Sequence, residues 1–131
     1  MKGVYLLIIQ VGKDVSIKIG ALGKKYFKNG VYCYIGSAQE NLEKRIERHL
    51  EKEKNNYWHI DYLLENDSVF VLDVLKKEAG KQEECVIAKR FFENAKSIKG
   101  FGCSDCNCES HLFKLDDINK KSLFFAKENE M

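Results

Sequence analysis

The run GVYLLIIQV at positions 3–11 constrains the fold more than any other stretch of the chain. Its β-branched and apolar residues leave neither face polar, the pattern of a strand covered on both sides. Such a strand belongs in the interior of a sheet with further layers packed on it. A turn at Gly12-Lys13-Asp14 and the alternating VSIKIG at 15–20 predict a second strand. Positions 21–30 read as a loop with room for a short strand, closed by the hairpin signal Asn29-Gly30. A strand is expected at 31–35 and a helix at 39–53, where Leu42, Ile46 and Leu50 make an apolar seam. Positions 57–66 form a short helix or a packed loop. A strand at 69–75, a helix at 82–95, an edge strand at 111–115 and a C-terminal helix capped by Asp116 or Asp117 complete the reading. The expected fold is a single α/β (α+β) domain with a small, mostly antiparallel sheet flanked by helices.

With 131 residues, one domain can bury a core without disulfide support. The longest apolar runs, such as positions 4–9, are far too short to cross a bilayer, and the N-terminus lacks the layout of a secretory leader. Five cysteines, three of them between positions 103 and 108, point to a reducing compartment, so the cytoplasm is the expected location. The net charge of +2 is too mild for a strong non-specific DNA binder. Its distribution is uneven: residues 1–54 carry 11 Lys/Arg against 6 Asp/Glu, and residues 55–131 carry 11 against 14. The first half can therefore present a phosphate-facing surface without being required to.

Plotted at about 100° per residue, the first helix places Asn41, Arg45, Arg48 and Lys52 on one border of its seam. Glu43, Glu47 and Glu51 run along the other. Helices stabilised only by their own ion pairs interleave the signs instead. A solvated helix face is the plain alternative. In the second helix, Cys85, Phe91, Phe92 and Ala95 fall within about 60° of Ala88, and Glu84 shares that sector. A carboxylate on an apolar face needs a partner, a metal or an opening. The helix dipole at a first turn offers it a simpler home.

Gly3-Val4-Tyr5 in a first strand, Tyr34-Ile35-Gly36 closing a later one, Arg45 on the next helix and Glu84 on the following helix resemble the GIY-YIG nuclease superfamily. WHIDYLL, Glu84-Cys85 and GFGCSDCNCESHLF are similar to an uncharacterised, largely archaeal branch of it, which in some proteins is attached to a DNA-repair glycosylase. The resemblance spans positions 3 to 113. It implies a GIY-YIG-like domain with an extra inserted hairpin, because some 28 residues separate Tyr5 from Tyr34 where the family uses a short connection.

The resemblance also implies phosphodiester hydrolysis assisted by one divalent ion, with nucleic acid, DNA above all, as partner and a DNA-repair protein as a further one. Glu84 would hold Mg²⁺ or Mn²⁺. Arg45 would brace the scissile phosphate. Tyr5 and Tyr34 would position the attacking water, although a free phenol with a pKa near 10 is a poor base. Gly36 would let the backbone turn sharply, and Ser37 would bond phosphate or start the helix. Arg48, His49 and Lys52 would support the backbone phosphates, with His49 also able to shuttle a proton. The family's late asparagine is matched by order alone at Asn94 or Asn107.

Cys103, Cys106, Cys108 and His111 supply four soft ligands within nine residues, which invites Zn²⁺, although their spacing is tighter than in most structural zinc sites. Reduced thiols packed under the sheet are the plain alternative. A third reading has Asp105, Cys106 and His111 lining the pocket of Tyr5 and Arg45, with Trp58, His59 and Asp61 joining them. Two functions follow: a metal-dependent endonuclease, or a non-catalytic nucleic-acid-binding or DNA-repair accessory module on the same fold.

Overall fold

The doubly apolar run becomes β1 (Gly3–Val11), an interior strand whose residues are buried on both faces except for half-buried Gln10. The computed structural model describes residues 2–51, 55–103 and 108–126. Val4, Leu6 and Ile8 point into one core, and Tyr5, Leu7, Ile9 and Val11 into another. β2 (Val15–Lys18) and β3 (Lys24–Phe27) form a separate two-stranded hairpin around a 3₁₀ turn at Gly20–Leu22. This is the insertion expected between the two tyrosine motifs. The chain returns along β1 as β4 (Gly30–Ala38), so the motifs end on adjacent antiparallel strands.

Three helices follow: α1 (Leu42–Leu50), α2 (His59–Leu64) and α3 (Gln82–Phe92). Between α2 and α3 runs β5 (Val69–Lys77), which pairs with the other side of β1. β6 (Lys96–Ser97) and β7 (Leu112–Leu115) complete a five-stranded sheet in the order β5-β1-β4-β7-β6, with every pairing antiparallel. A 3₁₀ segment, Ile118–Phe125, takes the place of the expected C-terminal α-helix, and Asp117 caps it through Asn119 N. The expectation for the final strand also changes: β7 is covered by the two-residue strand β6, which forms that edge of the sheet. α1 and α2 close one core with Leu42, Ile46, Ile60, Leu63 and Leu64, while α3 closes the other with Ile87, Ala88 and Phe91. Among the described residues no helix is long and apolar enough to cross a membrane.

Two local departures matter for the site. β4 does not stop at Gly36-Ser37 but stays extended to Ala38, with Gly36 opposite Tyr5 and Ser37 opposite Val4. Gly36 therefore serves as space rather than as a turn: a Cβ there would overlap the phenol of Tyr5. Helix α1 starts later than expected, after Asn41, a left-handed residue (φ 49°) whose side chain accepts from Lys44 N. Asn41 thus leaves the basic strip and becomes a cap, which also removes helix initiation from Ser37.

Gly36→Ala should destabilise the protein by about 1–3 kcal/mol through overpacking at the Tyr5 ring. Urea denaturation checks this, with an unchanged slope and a lower midpoint expected.

Candidate functional site

Helix α1 buries Leu42, Ile46 and His49. His49 therefore closes the apolar seam where Leu50 was expected, and Leu50 is 53% exposed. The helix leans on β1 and β4, which carries the imidazole to the first tyrosine: Tyr5 Oη lies 2.6 Å from His49 Nε2 in a buried hydrogen bond. Tyr34 lies beside the pair, its ring centroid 6.5 Å from that of Tyr5 and 6.3 Å from that of His49. Tyr32, on the same face of β4, is occupied structurally, since its hydroxyl donates to Lys28 O and its ring packs edge-on against Phe27.

A cavity of about 1030 Å³ opens over these rings. Tyr5, Tyr34, Gly36, Ser37, Arg45 and Glu84 line it. The register explains how α3 joins the wall. β7 begins only at Leu112, and the last backbone bond from β4 toward it runs from Ile35 N to His111 O. Beyond that point the first turn of α3 brings in Glu84, whose Oε1 lies 3.8 Å from His111 Nδ1 and whose side chain is 16% exposed. The carboxylate on the apolar face has its opening.

Burial drives both phenols well above their ordinary value of 10.0. At Tyr5 the Arg45 charge opposes that rise and Glu84 adds to it. At Tyr34 the neighbouring Tyr5 and Glu84 add to it and Arg45 opposes it. Both hydroxyls therefore stay protonated at neutral pH, and neither is a base by itself. Arg45 is held in two ways: Nη1 donates to Ser37 O at 2.6 Å, and its guanidinium carbon lies 4.7 Å from the Trp58 ring centroid.

The basic strip does not survive folding intact. Arg48 turns away from the cavity and grips Asp61 with both ends of its fork, at 2.9 and 3.0 Å, while Nη2 also donates to Asn55 O. Asp61 is fully buried and takes two more bonds, from Tyr57 N and Trp58 N, at the start of α2. Burial works against its charge, but the Arg48 and backbone bonds outweigh burial and hold the carboxyl below its ordinary value. Arg48 and Asp61 are thus a structural clasp, which corrects their expected places on phosphate and in the pocket. Lys52 lies outside the described residues, as do Asp105, Cys106 and Asn107.

Trp58 and His59 do line the cavity. His59 Nδ1 accepts from Gly102 N at 2.9 Å and so ties α2 to the glycine loop, and burial pushes its pKa below 6.5. Tyr57 and Tyr62 add an aromatic wall that the sequence did not single out. The only sequence signal for it is the density of rings around Trp58. Asn94 is not at the site: it follows α3 and donates to Arg90 O, about 15 Å along the helix from Glu84 at 1.5 Å per residue.

The cysteine reading also shifts. Cys103 Sγ donates to Phe101 O at 3.5 Å. Among the described residues the close group is Cys85, Cys108 and His111, whose ligand atoms all lie within 4.8 Å of one another. Cys85, from α3, stands where Cys103 was expected. His111 joins this group rather than the lining of the cavity, with its Nδ1 3.1 Å from Ile35 O.

Fold and site together define a small α+β domain whose helices and central strands converge on one open, partly charged cavity. The family model described as "Domain of unknown function DUF123" matches residues 4–130, and the chain belongs to that family. No curated protein and no solved structure matches it.

Asp61→Asn should cost about 3 kcal/mol, the scale for breaking a buried pair from one side. Because the folded carboxyl titrates below its unfolded value of 3.8, its stabilisation is present above that pH and lost as pH falls through the folded pKa. Thermal midpoints of the native protein measured from pH 6 downward should drop in that acid range, and the Asn variant should drop less.

Proposed function

We propose that this chain is a metal-dependent endonuclease that hydrolyses phosphodiester bonds in DNA or structured nucleic acid. The carrying observation is that Tyr5, Tyr34, Arg45 and Glu84, from two strands and two helices, line a single cavity. The resemblance to GIY-YIG nucleases assigns chemistry to those four positions, and the resemblance to a branch attached to a repair glycosylase supports a DNA-repair protein as partner.

Each side chain has a task its surroundings suit. Glu84 offers a hard oxygen donor on the cavity wall, suited to one Mg²⁺ or Mn²⁺ with water and phosphate oxygens as its remaining ligands. Such an ion supplies charge neutralisation at the phosphate when bound. Arg45 is already oriented by Ser37 O and the Trp58 face, so its other N–H donors meet a phosphate without further ordering cost. Tyr5 acts as a relay rather than as a base: it takes a proton from the attacking water while passing its own to His49 Nε2 across their 2.6 Å bond. Tyr34 lies close enough to orient the water beside it.

Labelled single-stranded, flapped and duplex oligonucleotides incubated with Mn²⁺ or Mg²⁺ test this. Cleavage should appear, and Glu84→Gln and Arg45→Ala should each lower it by about 10²–10³-fold. Tyr5→Phe and His49→Ala should lower it by similar and non-additive amounts, since both cut one proton path. Cleavage that persists unchanged in Glu84→Gln would sink the assignment. Salt-sensitive binding without cutting of any substrate would favour the accessory-module reading, which the remoteness of Asn94 from Glu84 supports.

A further inference from the structure

Cys85 lies in the first half of α3, whereas Cys108 and His111 stand three residues apart in the segment that leads into β7. Folding nevertheless brings one ligand atom of each within 4.8 Å of the other two. In a tetrahedral zinc site with Zn–S near 2.3 Å and Zn–N near 2.0 Å, ligand atoms sit about 3.5–3.8 Å apart. The group is thus within about an ångström of that spacing, and Cys85 and Cys108 are half-buried rather than locked in the core.

The imidazole is also preset as a ligand. His111 is buried, and its Nδ1 faces the carbonyl of Ile35 at 3.1 Å. A carbonyl only accepts, so Nδ1 carries the hydrogen and Nε2 keeps the lone pair that a metal requires. A ligating histidine commonly donates its second N–H to a backbone carbonyl in this way. Among the described residues neither Cys85 nor Cys108 forms a disulfide. Two sulfurs and one imidazole favour a soft or borderline cation over Mg²⁺ or Ca²⁺.

We infer that Cys85, Cys108 and His111 form a site for one thiophilic divalent cation of the zinc class, which pins α3 to the start of β7. A fourth position is left to water or another donor. The site differs in ligand type and place from the Glu84 carboxylate on the cavity wall, although Glu84 adjoins Cys85 in the chain and its Oε1 lies 3.8 Å from His111 Nδ1. Bracing α3 here also fixes the turn that presents Glu84. The inference stands whether or not the cavity hydrolyses anything.

The full chain, purified under reducing conditions without chelator, should take up one equivalent of Zn²⁺. With Co²⁺ as probe it should show thiolate-to-cobalt charge-transfer absorption. Excess Mg²⁺ should leave that band unchanged, and chelation should lower the thermal midpoint. Cys85→Ser should weaken Co²⁺ binding by at least about tenfold, Cys108→Ser likewise, and Cys103→Ser should leave it as in the native chain. Far-UV circular dichroism shows that each variant is folded. Metal well below one equivalent overturns the proposal, as does a Cys85–Cys108 disulfide that survives reduction and keeps metal out. Loss of binding in Cys103→Ser with none in Cys85→Ser overturns it too.

Discussion

The pairing of Tyr5 with Gly36 across β1 and β4 is the constraint on which the rest of the site depends. A strand pair has a side-chain period of two, so a one-residue slip would turn Tyr5, Tyr34 and Gly36 together toward the opposite core. The hydrophobic faces forbid that slip, because Val4, Leu6 and Ile8 are matched to α3 while Leu7, Ile9 and Val11 are matched to the other layer. Within that register a glycine under the phenol is a steric necessity. The ring then lies over β4, close enough to α1 for His49 to reach its hydroxyl.

Around this pairing the charges divide into supports and exposed groups. Asp61 gathers the start of α2 and the fork of Arg48 into one buried clasp. Trp58 then carries both arginines over its ring, at 4.7 and 4.6 Å. Stacking on an indole face is worth up to about 2 kcal/mol when desolvated, enough to hold Arg45 in place beside the cavity. The result is one committed guanidinium and one oriented toward the opening. His59 performs a similar service for the glycine loop, by accepting from Gly102 N.

α3 and β7 act as a second frame. α3 closes the core under Val4, Leu6 and Ile8 with Ile87, Ala88 and Phe91, and its first turn reaches the end of the sheet where β7 gives out. Glu84 and Cys85 are neighbours in sequence yet serve different surroundings, one on the cavity wall and one in the sulfur-imidazole group. A helix turns about 100° between consecutive residues, which is how adjacent side chains part company in this way.

Much of the fold was legible in the chain. Strand and helix periods located the long strands of the sheet, the inserted hairpin, α1 and α3, because burial on one or two faces leaves a periodic mark on local sequence. Positions 57–66 stayed open between helix and loop, and the C-terminal segment is 3₁₀ instead of α-helical. That the four residues Tyr5, Tyr34, Arg45 and Glu84 belong together came from their order and resemblance, not from periodicity. What the sequence could not reveal were pairings between distant residues. Arg48 has the same wheel position logic as Arg45, and only the arrival of Asp61 from α2 separates the two. His49 replaces Leu50 as the buried end of α1 because a phenol from β1 waits for it. Cys85 displaces Cys103 in the metal-type group because α3 docks at the head of β7. Local spacing determines which element forms and which face it buries; the partner of a polar group is decided by which elements meet, and that is a property of the tertiary structure alone.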